Sequence, residues 1–223
     1  AQLAIRQVAL AAEGLQLVDI DAYQEDGQWR YQGLWREGTE EQALYQYNSW
    51  SLFVKRWNKM NNLGFRLIDI ETYWSGGHQY YSGVWQAGSG KYALYQYNTW
   101  RKFTKRWKNL ANRGYRMIDV ETFTRNDKRR YVGVWRGGTD KYAFYQYNSP
   151  ESFLEKEEEL REGDFRLIDV EAIHYNGNEW RLGVWKGAGT NRLKRYDSRE
   201  CFLGDVAAMR EEGFRLIDVE LVE

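Results

Sequence analysis

The chain has one cysteine in 223 residues, Cys201, so no intramolecular disulfide forms and the fold must rest on burial and hydrogen bonding. One proline, Pro150, rules out a proline-rich linker or tail. Net charge is absent: 32 Lys and Arg balance 32 Asp and Glu. That argues against a general electrostatic grip on nucleic acid or an anionic membrane, which needs clustered positive charge. No apolar run approaches the ~18–20 residues that span a bilayer. Histidine is almost missing. His78 and His174 are not at equivalent positions, and no Cys/His cluster suggests zinc. The G-x-S-x-G, S-x-x-K and H-E-x-x-H patterns are absent, as is the lysine of a phosphate loop after Gly88–Gly90. No catalytic residue, metal or cofactor is expected, and Cys201 reads as a small buried apolar side chain. The opening AQLAIRQ, without Met, is compatible with signal-peptide removal or with trimming. We read it as leaning towards a secreted or periplasmic setting.

What is abundant is aromatic: 17% of residues, with Trp 11 and Tyr 17. These residues recur in order. The strings GLQLVDIDAY, GFRLIDIETY, GYRMIDVETF, DFRLIDVEAI and GFRLIDVELV carry their first aspartates at Asp19, Asp69, Asp119, Asp169 and Asp218. Intervals of 50, 50, 50 and 49 mark one supersecondary unit repeated.

Each unit opens with a strand, turns through QEDGQ, SGGHQ, RNDKR or YNGNE, and returns as a strand ending in Gly-Val/Leu-Trp. A third strand carries Tyr-Gln-Tyr-Asn in units one to three. Ser49, Thr99, Ser149 and Ser198 then stand at helix N-caps, with Pro150 at a first helical position. Trp50, Phe53, Trp57 and Met60 follow helical spacing, as do Trp100, Phe103, Trp107 and Leu110; a glycine such as Gly64 or Gly114 ends each helix.

This grammar predicts an α+β repeat protein of four β-β-β-α units with antiparallel strands: a leading helix (1–13), units at 14–63, 64–113, 114–163 and 164–212, and a trailing strand (213–223). A curved array capped at its ends and a closed ring both satisfy it.

Strand alternation puts Phe65, Leu67, Asp69, Glu71 and Tyr73 on one face. The acidic pair recurs as Asp19/Asp21, Asp69/Glu71, Asp119/Glu121, Asp169/Glu171 and Asp218/Glu220. Paired carboxylates serve catalysis or cation binding. Five equal pairs suit architecture better than one active site, so a solvated face salt-bridged by Lys55, Arg56, Lys105 and Arg106 is expected. The Tyr-Gln-Tyr-Asn and Gly-x-Trp aromatics read either as core or as a stacking platform. Unit four replaces the motif by Lys194-Arg195-Tyr196-Asp197, keeping only its second tyrosine, which marks that tyrosine as core. The candidate ligand residues are therefore Trp35, Tyr45 and Gln46, Trp85, Tyr95 and Gln96, and Trp135, Tyr145 and Gln146.

The run from GFRLIDIETY through YYSGVWQAGSGKYALYQYNTWRKFTKRW to GYRMIDVETF resembles the bacterial tandem repeat family. Related repeats form the amino-terminal domain of fungal polyglycine hydrolases. The resemblance covers all four units. It implies a curved, repeat-built α/β array, extracellular and non-catalytic, since cleavage in those enzymes belongs to a separate β-lactamase-like domain whose S-x-x-K motif this chain lacks. Aromatic richness, amide neighbours and repeated weak sites then favour a module for carbohydrate or cell-wall polymer. The alternative is a scaffold binding a protein or peptide, accessory to an enzyme.

Overall fold

A computed structural model describes residues 2–189 and 191–220. A leading helix α1 (Gln2–Ala12) is followed by the hairpin β1 (Leu15–Glu25) and β2 (Gln28–Glu37), then β3 (Gln42–Tyr47) and α2 (Trp50–Asn62). The second round is β4 (Phe65–Ser75), β5 (His78–Ala87), β6 (Tyr92–Tyr97) and α3 (Trp100–Asn112); the third is β7 (Tyr115–Arg125), β8 (Lys128–Gly137), β9 (Tyr142–Tyr147) and α4 (Pro150–Glu162). The hairpin β10 (Phe165–Tyr175) and β11 (Asn178–Gly187) precedes α5 (Arg199–Glu211). The hairpins turn in two residues, with Asp26-Gly27, Gly76-Gly77, Asn126-Asp127 and Asn176-Gly177 all at positive φ. That geometry matches the twist of the flanking strands. Ser49, Thr99, Ser149 and Ser198 each accept a backbone N–H from three residues on, as N-caps.

The strands do not form a sheet within each period. The sheets read β3-β5-β4, β6-β8-β7 and β9-β11-β10: the third strand of one period pairs with the hairpin of the next. Tyr95 on β6 thus stands opposite Gly133, and Tyr45 on β3 opposite Gly83. The ends depart from this pattern: among the described residues β1 and β2 form a sheet of two strands without a third, and the stretch 191–196, expected as a third strand, forms no ladder. The trailing strand expected at Phe214–Val222 forms no strand over 214–220 among the described residues; its last two residues lie outside them.

Each first strand carries a β-bulge, between Leu17 and Asp19, Leu67 and Asp69, Met117 and Asp119, and Leu167 and Asp169. The extra residue reverses the alternation. Leu67 and Ile70 therefore share the face of Gly83 and Trp85, while Asp69, Glu71 and Tyr73 turn to the opposite face with Val84 and Ser82. This corrects the expectation that Leu67 and Asp69 share a face. The sheets pack face to face with a helix wedged between. One core joins Phe53 and Met60 of α2 and Leu67, Ile70 and Trp85 of one sheet to Val132, Val134 and Phe123 of the next. The same pattern repeats with Phe103, Trp135, Leu182 and Val184. Burying a tryptophan removes ~150–250 Å² from water, about 4–6 kcal/mol at ~25 cal/mol per Å² before entropy is charged against it.

The first strands run beside one another, and the acids join them. The Ile70 N–H donates to Asp119 Oδ2 at 2.6 Å, Val120 N–H to Asp169 Oδ2 at 2.9 Å, and Val170 N–H to Asp218 Oδ2 at 2.8 Å. One step further along, Thr72 and Thr122 N–H donate to Glu121 and Glu171, and Ala172 N–H to Glu220 at 3.0 Å. The circuit closes on itself. Asp19 accepts from the backbone of Val219, and Arg36 Nη2 donates to the Leu216 carbonyl at 2.8 Å. Of arc and ring, the contacts are those of a ring. The acids are buried rather than solvated, and Asp69, Glu71, Asp119, Glu121, Asp169, Glu171, Asp218 and Glu220 form no ion pair among the described residues. The expected partners Lys55, Arg56, Lys105 and Arg106 lie elsewhere. The carboxyls serve the inner-edge N–H groups that no neighbouring strand reaches.

Candidate functional site

The candidate ligand residues separate once placed. Trp85 and Trp135 are 0% and 1% exposed, so they form core and not a platform. Trp35 is half-buried beside Leu17 and Ile20. Each ring folds back over the glycine two positions before it. A Cβ built on Gly133 would lie 2.5 Å from Trp135 Cη2, which is why no side chain stands there. Tyr45, Tyr95 and Tyr145 meet Trp85, Trp135 and Trp185 edge to face at 5.9, 6.1 and 6.2 Å. A helix cation covers the outer face of each tyrosine: Arg56 at 4.0 Å, Arg106 at 4.3 Å and Lys156 at 5.2 Å. Arg56 and Arg106 also donate to the hydroxyls of Tyr47 and Tyr97 at 2.7 and 2.8 Å. The first and second tyrosines of the motif are both half-buried, Tyr145 being the most exposed at 40%.

The glutamines distinguish one inter-sheet junction from the others. Gln46 Nε2 donates to Tyr31 Oη at 2.9 Å and to Ser82 Oγ at 2.9 Å, and Gln96 Nε2 donates to Tyr81 Oη at 3.0 Å. The bonds to Tyr31 and Tyr81 tie a third strand to the hairpin of the preceding sheet, while Ser82 lies on the same sheet as Gln46. Among the described residues the corresponding pair, Gln146 and Tyr131, makes no such bond, and Gln146 Oε1 is buried without a partner. A buried acceptor left unmade costs ~1–3 kcal/mol. Here the sheets leave a cleft of about 470 Å³, walled by Trp100 and Tyr131 on one side and by Tyr175 and Trp180 of the next hairpin on the other, with Asn98 and Gln146 supplying amides.

Arg129 forms its floor. Its guanidinium stands 4.8 Å from the Trp180 ring, 5.1 Å from Tyr131 and 5.8 Å from Tyr175, and Arg129 is 6% exposed. Burial pulls its pKa below the ordinary guanidinium value, and Nε has no hydrogen-bond partner among the described residues. The Trp180 indole donates to the Tyr175 carbonyl at 3.2 Å and the Tyr175 hydroxyl to the Asp127 carbonyl at 3.1 Å, which fixes both rings. Sequence reasoning named Gln146 but missed Arg129, Tyr175 and Trp180. Their signal was departure from the repeat: the positions equivalent to Tyr175 and Trp180 hold Arg125 and Arg130 one period earlier, and Ser75 and Tyr80 two periods earlier.

A second cavity, about 290 Å³, lies on the ring axis, lined by Asp21, Glu71, Glu121, Glu171 and Glu220. Burial first, and neighbouring acids second, hold Glu71, Glu121, Glu171 and Glu220 well above the usual carboxylate range. In the tier beneath, burial raises Asp218 to about 7. No group of three or more His, Cys, Asp or Glu among the described residues is placed to hold a metal ion. His78 and His174 are both exposed at hairpin tips, and Cys201 is exposed, not the buried side chain its surroundings in sequence suggested. No helix among the described residues is long and apolar enough to cross a membrane.

Comparison with known proteins returned no matching curated protein. A family profile, the polyglycine hydrolase-like structural repeat, matches residues 6–38, 43–87 and 91–136. The second and third of these segments run from a third strand through the following helix and hairpin, the same stretch that folds as one sheet with its helix. Sequence and sheet boundaries agree over more than half of the chain, and the chain belongs to the polyglycine hydrolase-like structural repeat family.

Proposed function

We propose that the protein is a non-catalytic binding module whose ligand is a carbohydrate or cell-wall polymer, held in the cleft between Trp100 and Trp180. The observation that carries this reading is Gln146, a buried amide oxygen without a donor, set among four aromatic rings. Sugar rings present C–H faces that pack on aromatic side chains and hydroxyl groups that donate to such an oxygen. Asn98 offers a second amide, and the unpartnered Nε of Arg129 offers a donor. The site is single rather than repeated, because the Gln46–Tyr31 and Gln96–Tyr81 bonds close the equivalent gaps. Binding therefore depends on one good cleft and not on avidity. A secreted or periplasmic setting belongs to the same reading and rests on the ligand class and the family resemblance.

The test is binding to a broad glycan array and to insoluble chitin, cellulose and peptidoglycan, with Trp180→Ala and Tyr95→Ala alongside. Trp180→Ala should weaken binding tenfold or more, about 1.4 kcal/mol, while Tyr95→Ala, outside the cleft, leaves it intact. Equal loss in both variants, or no glycan bound by a folded chain, overturns the reading.

A further inference from the structure

The axial cavity is separate from the cleft and asks for a different ligand. Five carboxyl groups, from Asp21, Glu71, Glu121, Glu171 and Glu220, line it. Three of them take strand donors: Glu121 Oε2 accepts from the N–H and the hydroxyl of Thr72, Glu171 Oε2 from the Thr122 N–H, and Glu220 Oε1 from the Ala172 N–H, and Glu121 and Glu171 hydrogen-bond each other. A second tier, including Asp69, Asp119, Asp169 and Asp218, lies two residues along the same strands, roughly 6–7 Å deeper. Nearby cationic groups are few. Arg129 interacts electrostatically with Glu171 but points into the aromatic cleft, and His174 stands exposed at the cavity's edge.

An independent feature marks the cavity as a ligand site. Gln79 lines it, is 3% exposed, and has neither amide nitrogen nor amide oxygen hydrogen-bonded among the described residues. A fully buried primary amide with four unmade hydrogen bonds is costly unless something completes it. The repeat makes the choice of residue pointed, because the equivalent positions hold Trp29, Arg129 and Glu179. Beside Gln79 the walls are aromatic: Trp29 meets Tyr73 at 4.5 Å with the two rings tilted, and Phe123 lines the same cavity.

We propose that this cavity binds a primary ammonium group on an aliphatic chain, as carried by a free polyamine or a lysine side chain. The ammonium has three donors and no acceptor, which fits a ring of carboxyl oxygens with the Gln79 oxygen among them. The methylene chain then lies along Trp29, Tyr73 and Phe123, where a cation near a ring face is also favoured. An inorganic divalent ion is a poorer match, since no three of these groups converge at coordination geometry.

The experiment is thermal unfolding of the whole chain titrated with spermidine, 1,4-diaminobutane, or an acetylated, amidated lysine, at constant ionic strength, with NaCl, MgCl2 and CaCl2 as controls. A saturable rise in midpoint of roughly 5–10 °C near a hundredfold excess over Kd is expected for an amine. Response to the free amines alone identifies a polyamine; response to the lysine derivative as well identifies a side chain. Gln79→Leu should fold, having no partner to lose, and should reduce the shift; Glu71→Gln should reduce it further. No amine response, an equal response to magnesium or calcium, or an undiminished response in Gln79→Leu overturns the proposal. Loss of glycan binding leaves this result untouched, because the two sites share no variant.

Discussion

At the scale of single residues, the Gly-Val/Leu-Trp signature is a packing device. The tryptophan ring occupies the volume that a side chain at the glycine would need, and at Gly83, Gly133 and Gly183 a phenylalanine from the helix closes the space beside it. In Gly133→Ala the new methyl group would meet Trp135 at 2.5 Å and Phe103 at 3.0 Å, and neither neighbour is a free chain end. We expect a loss of about 1–3 kcal/mol, read by urea unfolding. Combining it with Trp135→Leu, which vacates the same volume, should cost less than the sum of the single changes. An additive result would show that ring and glycine are not coupled. This much was legible in the sequence, because a mid-strand glycine repeated in one place announces a close approach. The identity of what approached was not legible: the ring folds back from two residues ahead on the same strand.

At the scale of elements, helices, caps and hairpins were readable from local rules, and Ser49, Thr99, Ser149 and Ser198 cap where expected. Strand partnership was not, because local pattern cannot show that β3 pairs across the helix with β5. The bulges were equally hidden. One inserted residue in each first strand moves the acids away from Leu67 and Met117 and turns a supposed solvent face into a buried one. The carboxyls there act as strand neighbours. Asp119→Asn keeps an oxygen for the Ile70 N–H and removes an ionisable group, so it should cost under about 1 kcal/mol at pH 5, whereas Asp119→Ala strands that N–H and should cost ~1–3 kcal/mol. Hydrogen exchange at the Ile70 amide separates the two: protection persists in the first and collapses in the second. Equal collapse would mean that charge, not the acceptor oxygen, holds the strands.

At the scale of the whole molecule, the ring gathers its acids with little to neutralise them. Burial raises Asp69, Asp119, Asp169 and their glutamate neighbours, and brings Asp218 from an ordinary 3.8 to about 7. Between those values the folded chain holds protons that the unfolded chain has released. Stability is therefore fully present below the ordinary carboxylate range and falls as pH rises through about 7. Thermal midpoints should drop from pH 5 to pH 8, and in Asp119→Asn they should drop less. A midpoint that is flat or rises over that range would show the acids ionised and stabilised in some other way. The cleft and the acid ring were both beyond the sequence for one reason: each is made where different periods meet, and Gln146 differs from Gln96 only in what its neighbours do.

The crossing of sheets over period boundaries also bears on how such a chain is inherited. A gene segment copied from the end of β2 to the end of β5 carries a strand, a helix and a hairpin that fold as one layer. A copy begun at Phe65 instead brings a hairpin severed from its clasping strand, yet after tandem insertion the preceding copy's third strand supplies it. Any fifty-residue frame restores the same pairings once it stands in line. Duplication here needs the right length and tolerates the wrong starting point, and no landmark in the DNA has to mark where a copy begins.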